Sequence, residues 1–211
     1  MKQSFLHSQN GVRLIIGILT LFHAIGVGIM ILYPEGAKLS YLNLLLAGTL
    51  LFLSEQNYVR AFITFCVILI GGFVIEYIGV HTGVLFGSYE YGKALGPGIG
   101  NIPIVIGVNW FCVVLASSAL LYSIRLNVAL KAILAGALST GMDFLIEPVA
   151  IKLDFWSWEG GVIPTWNYVC WFGFASLFSF IYLSLTKSKN KPAQALFVMW
   201  LLFFGILNLA L

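Results

Sequence analysis

Apolar residues run along this chain in long blocks, interrupted by short polar or glycine-rich segments. Seven blocks come close to the roughly 20 residues that a helix needs to cross a hydrocarbon core about 30 Å thick. They cover residues 13–33, 37–53, 60–80, 102–124, 129–147, 164–186 and 192–211, the second being the weakest. The polar start MKQSFLHSQNGVR is followed by a block long enough to span, so no cleavable signal is evident and the first helix is expected to remain. This pattern predicts an all-α integral membrane protein of about seven transmembrane helices, one domain over residues 1–211.

Composition agrees with the pattern. The chain is 60% hydrophobic and 9% charged, with mean hydropathy +0.98, where a soluble domain carries about 25% charged residues. An inside amino terminus places Lys2, Arg13, Arg60, Arg125, Lys131, Lys187, Lys189 and Lys191 on the cytoplasmic side, against Lys38, Lys93 and Lys152 outside. Basic residues concentrate on cytoplasmic loops, so an N-in, C-out chain is expected, with segments 81–101 and 148–163 side by side on the outer face. The net charge of +3 sits at helix ends, where anionic headgroups can receive it, and calls for no nucleic-acid partner.

The acidic residues change the picture. Only Glu55 falls on the inner side, while Glu35, Glu76, Glu90, Asp143, Glu147, Asp154 and Glu159 fall in the outer half. A carboxylate within the bilayer costs about 2.5–3.5 kcal/mol on insertion scales, so Glu76 and Asp143 need a partner, a cavity or a function. Asn109, beside Trp110, also needs a partner that lipid lacks. Interhelical hydrogen bonds averaging about 0.6 kcal/mol are the bland account of such groups.

Glu147 precedes Pro148, so the fifth helix is expected to end or bend there. Glu76 and His81 would lie about 140° apart on an unbroken helix, so their convergence requires a break near Gly79. The glycines from Gly79 to Gly100 suggest a re-entrant or lid loop on the outer side. Tyr89, Tyr91, Trp156, Trp158, Trp166 and Trp171 read either as interface-belt aromatics or as the walls of a pocket. Cys66, Cys112 and Cys170 have no metal-site or disulfide spacing, and three histidines are too few for a histidine-rich iron site. No nucleotide loop or serine-nucleophile motif occurs, so no metal or cofactor is expected.

These residues form an ordered series. Glu76, Gly79, Thr82-Gly83, Phe86-Gly87, Tyr89 and Tyr91 are followed by Leu95-Gly96, Ile102-Pro103, Asn109-Trp110, the step from Asp143 to Glu147-Pro148, and Phe155-Trp156-Ser157-Trp158-Glu159. Over about residues 70–175 the chain resembles the carotenoid hydratase family of bacteria and archaea. One departure is Glu147, where the family pattern has Asp before the proline; the carboxylate is kept but its reach differs. The resemblance implies a multi-pass enzyme of the cytoplasmic membrane that adds water across the terminal double bond of an acyclic carotenoid end, leaving a tertiary alcohol. Its partners would be the carotenoid, the bilayer and other enzymes of the pathway.

Such chemistry needs a carboxylic acid to protonate one carbon, a wall that tolerates a tertiary cation, and a poised water. Asp143 is the expected donor, with Glu76 second. Glu147, His81 and Asn109 are expected to position water, and Tyr89, Tyr91, Trp110, Trp156 and Trp158 to contact the substrate. Two rivals share these residues. A non-catalytic carotenoid- or lipid-binding subunit differs only in lacking turnover. A proton-coupled transporter should carry ionisable groups toward both faces, and the stretch from Thr64 to Ile75 has none.

Overall fold

A computed structural model describes residues 5–186 and 189–211; Lys2 and Lys187, counted above on the inner side, lie outside the described residues. Each apolar block is a helix: α1 (Gln9–Leu32), α2 (Ser40–Leu53), α3 (Tyr58–Thr82), α4 (Val105–Leu121), α5 (Val128–Lys152), α6 (Thr165–Leu185) and α7 (Lys191–Ala210). Six of these segments are long and apolar enough to cross a membrane, α2 with the short 3-10 turn before it, and α4 is a shorter apolar helix. The protein is an all-α polytopic membrane protein. Helix starts follow local chemistry: the Asn57, Asn127 and Asn190 side chains accept backbone N–H groups from the first turns of α3, α5 and α7, donors that otherwise lack partners.

The helix α4 is apolar all round, which suits a helix enclosed by others. Every one of its residues except Asn109 and Leu120 is buried, and it packs against α2, α3, α5, α6 and α7. The outer helices turn apolar residues such as Phe62, Phe144 and Leu202 outward.

The expected break near Gly79 does not occur, and α5 does not end at Pro148. α3 runs unbroken through Gly79 and ends at Gly83, whose φ of 66° is left-handed and whose N–H closes on the Gly79 carbonyl at 2.8 Å. Gly79 provides room instead: a Cβ there would lie 2.9 Å from both the Phe86 ring and the Tyr89 hydroxyl. α5 continues through Pro148 to Lys152. A proline within a helix disturbs carbonyls one turn earlier, and the Leu145 carbonyl is met by Asn208 Nδ2 of α7 at 2.7 Å. A neighbouring helix thus donates into the turn that the proline disturbs.

Segments 81–101 and 148–163 meet as a lid. β1 (Tyr89–Tyr91) pairs antiparallel with β4 (Trp156–Trp158), in register Tyr89 with Trp158 and Tyr91 with Trp156. β2 (Gly98–Ile99) and β3 (Ile102–Pro103) form a separate small hairpin.

Candidate active site

Beneath the lid sit three buried carboxyls, Glu76 from α3 and Asp143 and Glu147 from α5. Side chains alternate across a strand, so Glu90 and Ser157 face out while Tyr89, Tyr91, Trp156 and Trp158 face in. Each of these four aromatics brings one donor down to a carboxylate. Tyr89 and Tyr91 donate to Glu76 Oε2, the latter at 2.8 Å. Trp156 and Trp158 donate to Glu147 Oε2, both at 2.9 Å. Burial, and then the Glu76 charge, push both tyrosine hydroxyls well above their ordinary range, so they stay protonated and remain donors.

Trp110 of α4 supplies the third donor to Glu76, Nε1 to Oε1 at 2.9 Å. Its indole is stacked on Trp171 at 4.0 Å and passes over Gly72, where a Cβ would lie 2.7 Å from the ring. Trp110 is fully enclosed and holds the carboxylate from behind, so it is not positioned to contact a substrate directly. Asn167 of α6 bridges the other two carboxyls, Nδ2 lying 3.0 Å from Asp143 Oδ2 and 3.3 Å from Glu147 Oε1. Among the described residues, Glu76 and Glu147 each receive three donors and Asp143 receives one.

The carboxyls line a cavity of about 20 Å³, walled by Phe86, Tyr89, Tyr91, Ile106, Asn109, Trp156, Trp158, Asn167 and Trp171. A second, mostly apolar cavity of about 90 Å³ adjoins it and shares Ile106, Asn109 and Trp156. Phe86 enters the polar cavity from a backbone with φ of 66°, unusual for a bulky residue and held by the surrounding packing. Among the described residues no group of three His, Cys, Asp or Glu side chains is arranged to hold a metal ion.

His81 is not at this site. It lies on the exposed side of α3, stacked on Tyr77 at 4.1 Å, with Nδ1 2.8 Å from the Tyr77 carbonyl. The unbroken helix keeps it turned away from Glu76. Asn109, by contrast, stands where the two cavities meet.

The family model for carotenoid biosynthesis proteins matches residues 19–211, which include every residue of the site. The chain belongs to that family. It is also similar to the bisanhydrobacterioruberin hydratase of Haloarcula japonica, 33% identical over 105 residues, a match covering 46% of this chain and 36% of that protein. No solved structure matches it significantly.

Within this carotenoid biosynthesis protein, Asn167 is the site residue that sequence reasoning missed. Its signal was an amide near the start of an apolar block, the same signal that drew attention to Asn109. Asn167→Leu removes the bridge between two buried carboxyls, and hydrogen bonds to charged groups contribute about 1.5–3 kcal/mol each. The variant should unfold at a lower temperature in detergent; an unchanged transition would show that the bridge is not structural.

Proposed function

We propose that this protein adds water across the terminal double bond of an acyclic carotenoid end, giving a tertiary alcohol. The observation that carries the reading is the pairing of cavities. A polar one of about 20 Å³, where about 10–15 Å³ is enough for one water, opens onto an apolar one of about 90 Å³ suited to a hydrocarbon end group. The name of the Haloarcula japonica relative supports the same reaction class.

The donor pattern assigns roles. Three carboxylates packed in one small cavity repel one another if all are ionised. Glu76 and Glu147 are surrounded by donors and suit the ionised, acceptor-only form, which leaves the proton to Asp143. The Asp143 carboxylic proton goes to the less substituted alkene carbon and the positive charge develops at the tertiary carbon. Trp156, shared by both cavities, stands where an aromatic face can stabilise that cation, by about 2 kcal/mol or more when water is excluded. Water held among Asn109, Asn167 and the carboxyls attacks the cation. Its surplus proton is relayed through a neighbouring carboxylate to Asp143, which returns the acid to its starting form.

Expression in a host that makes acyclic-ended carotenoids should yield pigments heavier by one water. The new oxygen should derive from labelled water. Label arriving from oxygen gas would overturn the reading.

A further inference from the structure

The site is closed from above by the lid, whose inward aromatics are all tied to carboxylates. A way in lies to the side. A third cavity of about 240 Å³ lies between α1 and α2 beneath Phe22, Ile25 and Leu42, residues exposed on the lipid-facing surface. It meets the apolar cavity at Met30, Ser40 and Asn43, which line both. The three spaces therefore narrow from bilayer to carboxyls, about 240, 90 and 20 Å³, with shared walls at each junction.

We propose that the junction at Met30, Ser40 and Asn43 is a lateral door, through which the substrate chain enters from the bilayer between α1 and α2 and the alcohol leaves. The proposal rests on the hydration reading for the identity of the chain. Continuity with the carboxyl site names the occupant: a long apolar chain whose end must reach Asp143 while its remainder stays in lipid-like surroundings. Met30 is unbranched and has three rotatable bonds, so it can swing aside without backbone movement.

The polar pair at the door has its own explanation. Ser40 Oγ and Asn43 Oδ1 are buried without a hydrogen-bond partner among the described residues, an arrangement that is costly unless something visits them. A tertiary alcohol on its way out supplies what both lack, its O–H donating to Asn43 Oδ1 and its oxygen accepting from Ser40. The entering alkene needs neither.

The test uses the full chain in bilayer nanodiscs loaded with an acyclic-ended carotenoid, reading pigment retained on the purified protein and, separately, product mass. Asn43→Trp should fill the junction and lower uptake at least about 10-fold, whereas Ile70→Trp, exposed on α3 and lining none of the three cavities, should remain within about 3-fold of the parent, factors equivalent to about 1.4 and 0.6 kcal/mol. If Asn43→Trp fails to fold, Asn43→Cys reacted after folding with a bulky lipophilic thiol reagent should lose uptake, the parent treated alike being the control. The door is overturned if the filled variant takes up pigment normally, if Asn43→Trp and Ile70→Trp lose it equally, or if the reagent cannot reach position 43. A contrast between Asn43→Trp and Ile70→Trp, together with a parent protein that leaves pigment mass unchanged, fails the hydration reading and leaves the door standing. One that retains no pigment overturns both.

Discussion

Replacing Asp143 by Asn is expected to abolish water addition while the protein still inserts and retains pigment. The change keeps size and most hydrogen-bonding capacity, and the Asn167 amide can still meet the new side-chain oxygen in place of Asp143 Oδ2. What it removes is the carboxylic proton. General acid catalysis contributes typically about 10²–10⁴-fold, so turnover should drop by at least the lower figure, measured as product formed per pigment bound. Glu159→Gln, exposed beside β4, is the control and should stay active. Hydration by Asp143→Asn at near the parent rate would mean that Asp143 only holds the bundle together, and the acid would have to be sought at Glu76 or Glu147.

Glu76→Gln should be nearly as damaging, by another route. The Glu76 carboxylate accepts Tyr89, Tyr91 and Trp110 together. An amide offers one acceptor oxygen and turns an NH₂ toward a group that also donates. The lid and α4 thereby lose a shared anchor, and one negative charge of the cavity that holds Asp143 is removed. A drop of about 10²-fold in turnover, at the lower end of general acid–base effects, should come with looser lid packing, read as faster amide exchange at residues 89–91. Parent-like exchange together with parent-like turnover would show that the Glu76 charge contributes neither anchoring nor catalysis.

The fold was legible for a local reason. A run of apolar side chains about as long as the bilayer is thick satisfies its own backbone only as a helix, so the seven blocks reappear as α1 to α7 with ends moved by a few residues. The buried carboxyls were legible for a related reason, because an acid inside such a run is expensive without company. The two misplaced breaks show where local rules run out. Gly79 reads as a breaker along the chain, yet in the bundle it is a gap that Phe86 and Tyr89 fill. Pro148 reads as a stop, yet Asn208 from α7 meets the disturbed turn. His81 reaches the site only if α3 breaks at Gly79, and the continuous helix turns it away.

The strand pairing within the lid was hidden because YEY and WSW are each three residues long, too short for alternation to stand out, and the pairing joins positions 65 to 69 residues apart. The sequence by itself determined a membrane bundle with carboxyls buried within it, because bilayer thickness and the cost of buried charge act on each segment separately. Only the tertiary structure decided which donors each carboxylate receives. Trp110, Asn167 and the four lid aromatics come from four separate parts of the chain, and their meeting depends on how α4 sits among the other helices, a matter of packing that no single segment encodes.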